Sequence, residues 1–390
     1  MIITLLQPWQ AIPLLFHTFA PCMNAQEIFS KRVHNFNAGP ATLPQEVLER
    51  SAAAVLEFNQ SGMSILEYGH RTPAFTDVME EARDLVKEMM SLDKDHEVLF
   101  LHGGASTQFM QVPMNLLDEK DSAAYADTGV WSNKAIKEAE NFGKVEIPCS
   151  SREGGYSFIP KDFAVPNDAR YFHITTNNTI YGTQWKKIPS MSMPMVADMS
   201  SDIFSRMLPF NSFDLIYAGA QKNMGPAGVS LVVINPRILG KIKRKIPSIM
   251  DYRNHIREKS MLNTPPVFAV YVSMLNLKWI KEQGGIAAME KQNREKAVML
   301  YEEIDRNPLF RCTVNKEDRS FTNVCFVTED AAMENSFLEF SQTMQIMGIK
   351  GHRSVGGFRA SLYNALPLES VKTLVQAMRE FSDYKFSNQQ

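Results

Sequence analysis

Ser212–Asn235 reads SFDLIYAGAQKNMGPAGVSLVVIN. Two apolar runs rich in β-branched and aromatic residues flank the polar segment Gln221-Lys222-Asn223 and a Gly-Pro-Ala-Gly turn, which predicts a strand, an exposed turn and a second strand. A lysine just past a buried strand keeps its stem in apolar surroundings. That placement disfavours the ammonium form and frees the amine for attack on a carbonyl. Lys222 is therefore the candidate nucleophile, and the competing reading is a lysine that snorkels out of a strand end.

Upstream, Ser190–Ser205 (SMSMPMVADMSSDIFS) is another short apolar run, ending in Asp198 and followed by small hydroxyl residues. It places a carboxylate at a second strand terminus, although an Asp that only caps a turn would look the same. Pyridoxal phosphate requires a lysine for its aldehyde and a carboxylate for its ring nitrogen, and Lys222 with Asp198 supplies that pair.

Length and composition bound the alternatives. A chain of 390 residues with 44% hydrophobic residues and a net charge of −2 is expected to bury two or three cores. Its charge balance gives no reason to expect nucleic acid or an anionic membrane as partner. Cys22, Cys149, Cys312 and Cys325 are widely spaced, so a reducing cytoplasm is expected rather than a disulfide framework. The eight histidines show no metal-ligand spacing, and no metal is expected. Residues 1–33 begin with an apolar stretch broken by Pro8, Pro13 and Pro21 and lacking a basic start. They are expected to be a disordered or non-native leader, with Met23 as the true start.

Further along, a Gly-Pro turn in HNFNAGPATLP leads into a helix, and a loop carrying His70 and Arg71 precedes another. In EVLFLHGGASTQFMQVPMNLL a strand, a small-residue loop and a helix follow one another. Gly104, Ala105 and Ser106 there form a candidate phosphate cradle, since small residues let backbone N–H groups at a helix start approach an anion. Trp131 stands at the next helix start, where its ring can stack on a flat cofactor. Thr179 lies in the loop after RYFHITT.

Strands near residues 98, 123, 145, 171, 195, 214 and 229, most of them separated by helix-length segments, predict a mainly parallel seven-stranded α/β sheet with ligands at its C-terminal edge. The expected division is an N-terminal arm and large domain over 34–285 and a small C-terminal α+β domain over 286–390.

Seven motifs, NFNAGPATLP, EYGHRTP, HGGASTQF, ADMSSD, AGAQKNMGPAG, LNTPP and GHRSVGGFRAS, occur in one order from about Asn35 to Tyr384. In this the chain resembles the phosphoserine aminotransferases, fold-type I pyridoxal-phosphate enzymes. The resemblance implies that Lys222 bonds the cofactor and that Asp198 partners its ring nitrogen. It also implies that Ala105, Ser106, Trp131, Thr179 and Gln221 contact the cofactor. Asn263 and Thr264 would reach the cofactor phosphate of a neighbouring subunit, so a homodimer with shared sites is implied.

Arg359 matches the substrate α-carboxylate residue. His70, Arg71, His352 and Arg353 match the group around the phosphate or distal carboxylate, some of them supplied by the partner. Ser106 departs from members that carry arginine there. The implied reaction is ping-pong transamination between glutamate and 3-phosphohydroxypyruvate in serine biosynthesis, with a related phosphorylated substrate in pyridoxine biosynthesis as an extension. Rival readings are another aminotransferase or a desulfurase of the same fold type, such as an alanine–glyoxylate enzyme, and a non-catalytic phosphate-binding module.

Overall fold

The two runs around Lys222 are strands Leu215–Gly219 and Val229–Ile234, and every residue in both is buried. Continuous burial means that the sheet is covered on both faces, as parallel sheets flanked by helices are. A computed structural model of the chain describes residues 32–328 and 330–387; the leader expected over residues 1–33 lies almost wholly outside them.

The sheet strands are β1 (Glu97–His102), β2 (Ser122–Asp127), β3 (Lys144–Ser150), β4 (Phe172–Thr175), β5 (Met195–Asp198), β6 (Leu215–Gly219) and β7 (Val229–Ile234). Their spatial order is β1-β7-β6-β5-β4-β2-β3. β7 runs antiparallel to both β1 and β6, and the remaining pairs are parallel. All seven expected strands are present, and the sheet is mainly parallel. The order reverses between neighbours, so the C-terminal ends of β1, β2, β4, β5 and β6 open onto one edge.

Helices cover both faces because their apolar residues recur at helical spacing. Pro73–Met89 starts with proline at its first turn and buries Phe75, Val78, Met79, Ala82, Leu85 and Val86. That stripe lies against the helix Val267–Glu282, in a core shared with Phe172, Ile216 and Leu231. Each such side chain contributes about 1.5–3 kcal/mol when fully removed from water.

A second core lies in the C-terminal third, where Phe310–Cys312, Asn323–Thr328 and Phe358–Ser361 form an antiparallel sheet. Gly285–Arg306, Ala331–Thr343 and Leu368–Ser387 are helices. The run MENSFLEFSQTMQIMG, Met333–Gly348, has the composition of one helix, but the helix stops at Thr343. Gln345 and Gly348 take positive φ values of 59° and 79°, which end the helix and free Ile346–Met347 to pair in parallel with the arm segment His34–Asn35. Phe36 accordingly packs in this second core. From Val33 onward the chain is one compact unit.

Candidate active site

Asp198 is the last residue of β5, opposite Thr175 on β4 and Tyr217 on β6. Only 5% of its surface is exposed, and one carboxylate oxygen accepts the Ser200 backbone N–H at 2.9 Å. Burial raises its pKa, while the positive charge of Lys222 works the other way. Lys222 follows β6 by three residues and projects over the same edge. Its Nζ donates to the Thr179 hydroxyl at 3.1 Å and stands 6.0 Å from the centre of the Trp131 indole. Burial pushes its pKa down to about 8; the charge of Asp198 opposes that shift and that of Arg359 adds to it. An amine and a carboxylate whose charges act on each other, with an indole ring near the amine, form the arrangement expected at a pyridoxal ring.

The cradle lies on the neighbouring strand end. Gly103, at φ 88°, turns the chain after β1, and Gly104 caps the helix Ala105–Leu116 without any side chain occupying the cap. Backbone donors at Ala105 and Ser106 therefore point outward with the helix dipole behind them. Space for a Cβ at Gly104 is open, whereas β6 comes close alongside: a Cβ on Gly219 would lie 3.5 Å from the Ala105 nitrogen. Trp131 is the second residue of the helix Val130–Ala139, and its Nε1 is buried with no hydrogen-bond partner. These features suit a phosphorylated aromatic group: donors for the phosphate, a flat wall for the ring, and charges for its two polar ends.

Arg359 enters from the C-terminal sheet, paired with Cys325. Its Nε is buried and unpartnered, so the guanidinium keeps a donor for an incoming anion. Together with His352, Tyr156, Tyr181 and Cys325 it lines a cleft of about 160 Å³. His352 bonds Ser354 at 2.7 Å; burial and the positive charges of Arg359, Arg353 and Lys134 keep its pKa low. Arg353 is exposed beside it.

The structure does not gather every expected residue. His70 and Arg71 sit in the loop before Pro73–Met89; the His70 Nε2 is buried without a partner and Arg71 is exposed. No hydrogen bond or ion pair among the described residues ties either to Lys222. Asn263 lies 3.4 Å from the Nδ1 of His102, two residues before the cradle, and Thr264 is exposed. Gln221 contributes its backbone, accepting the Ala41 N–H at 2.9 Å.

Sequence reasoning missed Asp202, Lys134 and Tyr363. Asp202 is fully buried, paired with Arg206 at 2.8 Å and bonded to Thr176, and its charge reaches Lys222. It is the second acid of ADMSSD, so a signal existed. Lys134 stands 4.6 Å over Trp131, one helical turn from it. Among the described residues no group of three or more potential metal ligands occurs, and no helix is long and apolar enough to cross a membrane.

Comparison with known proteins places these features in context. The family model for class-V aminotransferases matches residues 33–374. A curated protein of Flavobacterium psychrophilum named phosphoserine aminotransferase is 56% identical over 351 residues, covering 90% of this chain and 99% of that protein. The solved phosphoserine aminotransferase of Bacillus circulans subsp. alkalophilus superposes with a TM-score of 0.89 at 41% identity, over 91% of this chain and 99% of the other. A pyridoxal-phosphate-bound phosphoserine aminotransferase from Trichomonas vaginalis gives a TM-score of 0.84 at 38% identity, over 89% of this chain and all of the other.

Proposed function

The chain belongs to the class-V aminotransferases, and we propose that within them it acts as a phosphoserine aminotransferase, moving an amino group between glutamate and 3-phosphohydroxypyruvate to give 2-oxoglutarate and O-phosphoserine. The observation that carries this reading is that Lys222 lies within reach of the charges of both Asp198 and Arg359, whose buried Nε has no partner. The 56% identity to a phosphoserine aminotransferase over almost the whole length supports the substrate.

Pyridoxal phosphate, when bound, supplies an aldehyde for amine exchange and a ring that withdraws electrons from the substrate carbon. Ala105, Ser106 and their helix dipole would hold its phosphate, Trp131 and Thr179 would stand beside its ring, and Asp198 would hold the proton on the ring nitrogen. A buried carboxylate does this best when the proton it faces makes the pair neutral overall. Lys222 is the base. Its amine, whose pKa burial lowers, takes the α-proton of the amino acid once it is free, then returns a proton on the other side of the exchange.

Substrate recognition rests on charge. Glutamate and phosphoserine both carry an anion at each end, so one site serves both only with two separated cationic groups. Arg359 takes the α-carboxylate. His352 and Arg353, with His70 and Arg71 contributed by a partner subunit, take the phosphate or distal carboxylate. On this reading the enzyme is a cytoplasmic homodimer in which Asn263 and Thr264 reach the neighbour's cofactor phosphate. The phosphorylated four-carbon substrate of pyridoxine biosynthesis presents the same two anionic ends and is accepted on the same grounds.

A half-reaction titration tests the reading. Phosphoserine and glutamate are expected to discharge the visible absorption of the purified enzyme at micromolar to millimolar concentrations, and alanine is not. Equal turnover of serine and phosphoserine would overturn it.

A further inference from the structure

Ala38, Gly39 and Pro40 belong to the N-terminal arm, yet they lie against the lysine. Gly39 takes φ 136°, and a Cβ built on it would stand 3.4 Å from both Lys222 Cγ and Gln221 Nε2. The positive φ favours glycine here, and the strap lies in van der Waals contact with the lysine stem. This short strap is fastened at both ends. On one side the Ala41 N–H donates to the Gln221 carbonyl at 2.9 Å. On the other the hydroxyl of Tyr363 donates to the Ala38 carbonyl at 3.1 Å.

Tyr363 is itself held in place. It is 2% exposed, follows strand Phe358–Ser361 by two residues, and accepts a hydrogen bond from Asn323 Nδ2 at 3.3 Å. Asn323 also donates to Ser361 and accepts from Asn177 at 2.8 Å, and the Tyr363 carbonyl accepts from buried Lys296 at 2.8 Å. The Thr179 hydroxyl, which receives the Lys222 amine, lies within electrostatic reach of the same phenol. A fixed phenol thus touches both the strap over the lysine and the hydroxyl beneath its amine.

We propose that Tyr363 is a positioning residue for Lys222, its hydroxyl pinning the Ala38–Pro40 strap so that the lysine stem is kept at one pitch in the cleft and shielded from water. The proposal rests on Lys222 being the reactive amine. The charged groups whose fields reach that amine are Asp198, Asp202 and Arg359, and none of them bonds the Tyr363 hydroxyl. Removing the hydroxyl therefore leaves those charges in place and acts through the strap and the Thr179 hydroxyl that it touches.

The test uses Tyr363→Phe in the full-length chain. In cofactor-free protein, the pH midpoint for acylation of Lys222 is measured by mass spectrometry of its peptide, with Lys186, whose amine packs over the Phe321 ring, read in the same digest. We expect the Lys222 midpoint to rise by about half a unit to one unit, as water regains the ammonium, with Lys186 unchanged. Gly39→Ala, which strains the strap at its positive φ, should move it in the same direction. In the loaded enzyme, kcat should fall about tenfold with the KM for glutamate within about twofold. An unchanged Lys222 midpoint overturns the proposal, and so does an equal rise at Lys186, which would report general loosening. If the wild type shows neither visible absorption nor turnover, the aminotransferase reading fails, whereas the labelling of Lys222 still decides the role of Tyr363.

Discussion

The amine of Lys222 and the hydroxyl of Thr179 are 3.1 Å apart, although 43 residues separate them in the chain. The contact exists because β4 and β6 end at the same edge with β5 between them, so loops from two strands converge above Asp198. Thr179 is buried and its hydroxyl accepts a hydrogen bond from the amine, which orients Nζ. Thr179→Val keeps the shape and removes the acceptor. It should cost about 1 kcal/mol of orientation, a five- to tenfold fall in kcat, with the visible absorption retained. Steady-state kinetics beside an absorption spectrum check this.

Lys222 and Asp198 should fail differently. Lys222→Ala should abolish turnover and the visible band of the purified protein, since no other amine stands beside Asp198 among the described residues. Asp198→Asn should still bond the aldehyde but lose the charge facing the ring nitrogen. A fall in kcat of about a thousandfold or more, with the cofactor bound more weakly, is expected. Absorption after dialysis, with and without added cofactor, separates the two.

Arg359 and Arg71 should divide the substrate between them. With its Nε unpartnered in the cleft, Arg359 is committed to an anion that all substrates share. Arg359→Ala should therefore lower kcat/KM for glutamate and phosphoserine alike, by about a hundredfold or more. Arg71→Ala should lower it more for phosphoserine than for glutamate, because a dianionic phosphate draws more on the second cationic group. Equal losses from Arg71→Ala on the two substrates would remove that residue from the phosphate group.

His173 sets an acid limit on stability. Its ring stacks on Tyr125 at 4.7 Å and bonds the Tyr217 hydroxyl at 2.8 Å beneath the sheet edge, and complete burial pushes its pKa down to about 3. The unfolded chain binds a proton on this histidine below about pH 6.5, and the folded chain does not until about pH 3. Stability should thus fall as pH drops through that window, by up to about 1.4 kcal/mol per pH unit from this group. In His173→Phe the slope of unfolding free energy against pH between 4 and 6 should flatten, as read by urea titration at several pH values.

Much of the fold was legible because the strands are buried on both faces. A strand such as VSLVVI must then be apolar throughout, and the small polar segments after it can only be edge loops. The motifs carried the proposed reactive pair for the same reason: Asp198 and Lys222 each follow a run whose burial is visible in its composition. Asp202 was within reach of such reasoning and was passed over, since a second acid four residues on reads as another turn residue until Arg206 is seen folded onto it.

The amino-acid order by itself determined the seven strands, the glycine cradle and the lysine and carboxylate at strand ends, since local periodicity and small-residue turns encode these. Only the tertiary structure decided which ends share an edge, that the arm's Ala38–Pro40 segment lies over Lys222, and that Tyr363 fastens it there. Those contacts join residues up to 325 positions apart. Pairing at such separation depends on which surfaces remain unsatisfied once the cores have formed, and no short stretch of sequence records that.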